Sequence, residues 1–218
     1  MLLGNACTKT IDTTTTTPII TDKCYLKVFD FTNTTTTYST ILIGPDKRSY
    51  VFTPGFDSLY NEIPAGVSTA KVEAFATGYS YSPVSVNLTT GNFFTSFIYN
   101  QSNNIPAIGF IADDLVIPPP NYTKLRVLYF LSPGANNYPT NIGIANATDT
   151  LMTYNRTDVD FVRIAPLTVF SNIKASIYSV YANGNVIGTV QLLSGRIYTL
   201  VINKATNSFF VYNLYTNK

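Results

Sequence analysis

The chain has 218 residues, 45% of them hydrophobic and 12% charged, with a formal net charge of +2 and no histidine. That is ample material for a core and too little charge for a disordered chain. Scattered Lys and Arg exclude the clustered basic face of a nucleic-acid binder, and a chain without histidine cannot build a Ser-His-Asp or Cys-His centre.

Strand formers dominate. The 16 Tyr and 14 Phe stand among abundant Val, Ile and Thr, side chains that suit a pleated, half-buried surface. Glutamate occurs only as Glu62 and Glu73, and methionine only as Met1 and Met152. The chain reads as all-β.

At the start, MLLGNACTKT places Cys7 behind leucines and then small residues. This is similar to the lipobox of bacterial lipoproteins, where the signal peptide is cut before a cysteine whose thiol carries lipid. A complete signal peptide needs a charged start and an apolar stretch of about 7–15 residues, more than fits before Cys7. Cys7 is expected as a lipid anchor. A Cys7–Cys24 disulfide, closing a short loop for about 3 kcal/mol, and a cysteine without a role are the alternatives. Asp12, Thr13–Thr17 and Pro18 make a polar segment with nothing to pack, so residues 1–22 read as anchor and tether. No run reaches the ~20 apolar residues of a membrane span, and the expected membrane contact is by the lipid alone.

Residues 23–112 carry the first strand series: Leu26–Phe31, Thr40–Gly44, Ser58–Ile63, Ala70–Phe75, Val84–Leu88, Phe93–Tyr99 and Ala107–Ile111. Several alternate apolar and polar residues, as in a sheet with one buried face. Turn chemistry at Gly44-Pro45-Asp46, Pro64-Ala65-Gly66 and Thr90-Gly91 separates them. Residues 113–122 hold Asp113-Asp114 and Pro118-Pro119-Pro120 and read as a linker.

Residues 123–218 repeat the scheme. Leu26-Lys27-Val28-Phe29 matches Leu125-Arg126-Val127-Leu128, and Leu88-Thr89-Thr90-Gly91 matches Leu192-Leu193-Ser194-Gly195. Asn183-Gly184 predicts a type I′ hairpin between Ile173–Tyr181 and Val186–Leu192, and Phe209–Tyr215 is the last strand. The predicted architecture is two tandem immunoglobulin-like or prealbumin-like antiparallel β-sandwiches.

Several short motifs carry a resemblance: Ile63-Pro64-Ala65-Gly66, Asp113-Asp114-Leu115, Pro118-Pro119-Pro120, Lys124-Leu125-Arg126-Val127, Leu131-Ser132-Pro133-Gly134-Ala135 and Ser194-Gly195-Arg196-Ile197-Tyr198-Thr199-Leu200. Together they resemble the bacterial domain-of-unknown-function family 4397. The resemblance implies a secreted or lipid-anchored envelope protein, often with two tandem β-domains, and no established enzymatic activity. The chain departs from the family at Phe130-Leu131, where histidine is common, and at Thr32-Asn33, where Ser-Pro is expected.

No CxxC pair or glycine-rich phosphate loop offers other chemistry. Paired carboxylates remain as glycosidase candidates at Asp113-Asp114, Asp158/Asp160, Glu62 and Glu73. Asp113 and Asp114 are weak candidates for a hard-cation site. The bland reading of these acids is a solvated strand edge, and neither enzyme activity, metal nor cofactor is expected. Tyr79, Tyr81, Tyr122 and Tyr138, beside Asn, Ser and Pro, are candidate ligand contacts, each offering a flat apolar body and a hydroxyl. The competing reading is that tyrosine fills strand faces in a chain without Trp. The expected function is a non-catalytic envelope lipoprotein that binds a glycan or protein. The alternative is an assembly or spacer module that pairs through its edge strands.

Overall fold

The computed structural model describes residues 22–30, 32, 37–52, 59–74, 76–81, 83–100, 105–130, 141–147, 150–155, 171–203 and 208–213. Cys7, the tether, Tyr138, Asp158 and Asp160 lie outside the described residues. Every regular element among those described is a strand, and no helix among them is long and apolar enough to cross a membrane.

The first half contains β1 (Lys23–Asp30), β2 (Tyr38–Ile43), β3 (Ser49–Phe52), β4 (Asn61–Pro64), β5 (Gly66–Ala74), β6 (Val84–Leu88), β7 (Phe93–Asn100) and β8 (Pro106–Asp113). The second contains β9 (Tyr122–Phe130), β10 (Asn141–Ala145), β11 (Thr150–Asn155), β12 (Ser171–Lys174), β13 (Ser176–Ala182), β14 (Asn185–Leu192), β15 (Ile197–Asn203) and β16 (Ser208–Asn213). The first eight strands form two open sheets, ordered β4-β1-β7-β8 and β3-β2-β5-β6. The last eight form β12-β9-β15-β16 and β11-β10-β13-β14, the same order repeated strand for strand.

Antiparallel pairing throughout was the expectation, and it is corrected at one place in each half. β1 runs parallel to β7, and β9 runs parallel to β15. The chain makes the two pairs identically. Gly91 N–H donates to Lys23 O at 2.7 Å and Tyr25 N–H to Asn92 O at 2.9 Å; Gly195 N–H donates to Tyr122 O at 2.8 Å and Lys124 N–H to Arg196 O at 2.9 Å. Each pair is therefore pinned at its start by the turn that precedes the later strand.

Parallel strands are usually buried on both faces and read as continuous apolar runs. That is the case here. On one face of the inner sheet, Cys24, Leu26, Val28, Phe94 and Ile98 join a core with Tyr38, Leu42, Val72 and Leu88 of the sheet beneath. Leu125, Val127, Tyr198 and Leu200 do the same over Ile144, Tyr178, Val180 and Val190. The opposite faces meet each other: Phe29 and Phe97 from the first half pack against Leu128 and Val201 from the second, all at most 4% exposed. The layers run outer sheet, inner sheet, inner sheet, outer sheet.

Each half turns from its inner to its outer sheet at an alanine. Ala65 N–H donates to Asp22 O at 3.0 Å between β4 and β5, and Ala175 N–H to Asn121 O at 2.9 Å between β12 and β13. The run Ile173–Tyr181, expected as one strand, is thus broken at Ala175. The hairpin at Asn183-Gly184 is as expected, with φ of 50° and 77° at the two central residues. The expectation missed β3, β10 and β11, which are short or Thr- and Asn-rich and pair with longer neighbours. Asp113 closes β8 and Tyr122 opens β9, so the connection is 114–121.

Candidate functional site

Tyr79 and Tyr81 sit at one end of the outer sheet of the first half. After β5 the chain turns back, and Ser80 bridges to Glu73. Ala74 N–H donates to Tyr79 O and Tyr81 N–H to Val72 O, both at 2.9 Å. Because strand side chains alternate, this register puts both tyrosines on the side that Val72 and Ala74 share, with Tyr79 at the outer end beside the turn. Their rings meet edge to face at 5.0 Å, and Tyr81 meets buried Tyr38 at 6.1 Å. Tyr81 therefore closes the end of the core, and burial, then the neighbouring Tyr38, holds its hydroxyl above the ordinary value. Tyr79 is 63% exposed. The result is an outward aromatic ring braced from behind.

The opposite face of the same turn is polar. Lys71 Nζ lies 3.1 Å from Ser80 Oγ and 3.3 Å from Glu73 Oε2, and Ser80 Oγ donates to Glu73 Oε2 at 3.0 Å. These side chains neutralise one another, and the triad fixes the turn that carries Tyr79. Glu62, the other glutamate, pairs with Lys23. Tyr122 is 37% exposed at the start of β9, and among the described residues no ring contact joins it to the Tyr79–Tyr81 pair.

The adjacent acids are split by the junction between the halves. The Asp114 carboxylate faces Lys124 Nζ at 2.6 Å. Burial pushes the Asp114 carboxyl up, but Lys124 and the Val116 amide outweigh it and hold it below the usual range. Asp113 points inward, with its side chain and that of Arg126 both fully buried and 2.6 Å apart. Tyr60 and Thr95 donate to its other oxygen at 2.9 and 2.7 Å. Arg126 also donates to Thr199 Oγ1 at 3.0 Å and to Ala112 O at 3.2 Å. Both carboxylates are thus matched by cations of this chain, the reverse of what a hard-cation site requires. Among the described residues no group of three acids, cysteines or histidines could hold a metal.

Lys27 belongs to the same network. It is 5% exposed, and its ammonium lies 4.5 Å over the Tyr60 ring. Among the described residues no ion pair engages it. Burial pushes its amine below the ordinary lysine value of 10.5, with the Asp113 charge opposing. Tyr60 is pushed far up, by burial and then by Asp113. A desolvated cation–π contact is worth about 2 kcal/mol, less than the several kcal/mol that desolvating an ammonium costs. Lys27→Met is therefore expected to stabilise the fold at pH 7 by about 1 kcal/mol or more. A folded pKa below the unfolded one penalises the charged form, so the advantage should fade as pH rises toward 10.5. Melting curves of both proteins between neutral and alkaline pH check this.

Sequence reading missed this network. The signal was present: Lys27 and Arg126 occupy the same place in the aligned runs Leu26-Lys27-Val28 and Leu125-Arg126-Val127, each a cation within an apolar strand. Cys24 is a buried thiol near Pro64 O, its pKa pushed up to about 11 by burial.

No family model matches the chain, and no curated protein matches its sequence. Among solved structures, the Bacillus anthracis TIE protein is similar over 84% of this chain and 33% of its own, at 12% identity and a TM-score of 0.26. A leucine-rich repeat protein from Bacteroides thetaiotaomicron VPI-5482 is similar over 84% of this chain and 26% of its own, at 7% identity and a TM-score of 0.23. The chain spans about a third of the first and about a quarter of the second.

Proposed function

We propose that the chain is a non-catalytic binding or adhesion module of the bacterial cell envelope, held to the membrane by a lipid on Cys7. In this reading it consists of two tandem immunoglobulin-like or prealbumin-like sandwiches of domain-of-unknown-function family 4397, and its ligand is a glycan or a protein. The observation that carries the reading is Tyr79, a large exposed ring that rests on Tyr81, itself packed on Tyr38, before any ligand arrives. A rigid aromatic anchor loses little conformational freedom on binding. Membership of the family rests on the short junction motifs, and the lipid anchor on the residues before Cys7.

The test separates binding from folding. Tyr79→Ala is expected to leave the melting temperature within about 1 °C, since surface changes usually cost under 0.5 kcal/mol, and to abolish retention on a panel of immobilised neutral and acidic glycans and envelope proteins. Tyr81→Ala should lose both, at about 2–4 kcal/mol of stability. Binding that survives Tyr79→Ala would sink this site.

Assembly through strand edges is the second reading. Edge strands normally carry charge or proline against unwanted pairing. The outer-sheet edges β6, VSVNL, and β14, NVIGTVQL, carry neither. Growth of the particle with concentration in a dilution series, blocked by Val186→Lys, would favour this reading.

A further inference from the structure

The contact between the halves is built from equivalent positions. In the two parallel pairs, Phe29 stands beside Phe97 as Leu128 stands beside Val201. These four residues are the buried members of the cluster between the inner sheets. The polar contacts follow the same rule. Lys27 stands beside Thr95, and Arg126 beside Thr199; the Arg126 guanidinium reaches both threonines, at 3.4 and 3.0 Å. When the same face of two copies meets itself, one copy must be turned over relative to the other. That is an isologous contact of the kind that joins the subunits of a two-fold dimer.

We propose that each half is the binding partner of the other through this shared sheet face, so that the chain is in effect a homodimer of one repeat fused end to end. The partner that fits the face is a second copy of the repeat, supplied in cis here and available in trans from another chain.

The acids determine which pairings are allowed. In the observed pairing, Arg126 of the second half reaches Asp113 of the first. By the same symmetry, two first halves would set each Lys27 toward the other's Asp113. Two second halves would have no such match. Asn213 occupies the register position of Ala112, beside Tyr198 as Ala112 is beside Phe94, so the sequence position that corresponds to Asp113 is Leu214. Each arginine would then lack the Asp113 carboxylate that it reaches in the observed pairing. The mixed pair is the favoured one, like pairs of first halves are tolerated, and like pairs of second halves are excluded.

The full chain supplies the experiment. A protease site is inserted between Val116 and Ile117, both exposed, and the folded protein is cleaved, diluted, reconcentrated and examined by sizing and native mass spectrometry. The expected product is a 1:1 complex of the halves, alone or with pairs of first halves. Pairs of second halves should be rarer than mixed pairs by more than about 100-fold, the ratio set by an unpaired buried charge. Halves that part on cleavage would overturn the proposal, and so would pairs of second halves as abundant as mixed ones.

Discussion

Replacing Arg126 with Met is expected to lower the stability of the chain by about 3–5 kcal/mol, the usual result of removing one partner from a buried ion pair. The Asp113 carboxylate would stay fully buried; among the described residues it would keep the Tyr60 and Thr95 hydroxyls and the more distant charge of Lys27. Two hydroxyls and a cation that makes no ion pair with it do not match a lost guanidinium 2.6 Å away. Denaturant midpoints measure the loss. Adding Asp113→Leu to the variant should recover most of it, because an apolar pair of similar volume often matches a buried ionic one. A single-variant loss under about 1 kcal/mol would mean that water reaches the pair and the junction is looser than described.

Phe97→Ala should cost about 3–5 kcal/mol, the range for an aromatic lost from a packed core. Phe97 is 1% exposed and stands beside Gly109 on β8. Its ring lies where a side chain at 109 would begin: a Cβ there would run into Phe97 Cε2 and Cζ. Gly109→Ala should accordingly cost about 1–3 kcal/mol in the parent chain. In the Phe97→Ala background it should cost nothing, since the ring that forbids the methyl is gone. Additive losses in this double-mutant cycle would show that the glycine serves the backbone and not the ring.

How much of this could be read in advance depended on how local the cause was. Val84–Leu88 appears with its expected bounds, and the Asn183-Gly184 turn has its expected dihedrals, because a few adjacent residues determine each. The duplication was legible through Leu26-Lys27-Val28 and Leu125-Arg126-Val127, and every strand of one half has its counterpart in the other. The parallel pairs were not legible, since they join strands separated by five others in the chain. Tyr79 and Tyr81 were chosen as equals and share a face, yet Tyr79 at the turn is left exposed while Tyr81 packs on Tyr38 and stops the end of the core. Asp113-Asp114 read as one acidic turn, but the end of a strand falls between them and points them to different cations. Nothing in Asp113 announces that its partner is Arg126; that follows only when the second half is laid on the first.

The parallel pairing of β1 with β7 also constrains the order in which this protein forms. Tyr25 finds its neighbour only when Phe93 has been made, so the opening strand leaves the ribosome with one flank vacant while the hairpins β2–β3 and β5–β6 close locally. Distant pairings of this kind slow folding, because the long loop must close before any contact repays it. Until then Leu26 and Val28 are open to wrong partners, and β9, which carries much the same run, is the nearest impostor. Slow refolding with a minority of molecules joined crosswise, one chain's β9 in another's place for β1, is the expected cost of writing one plan twice in a single polypeptide, and sizing of the refolded protein checks it.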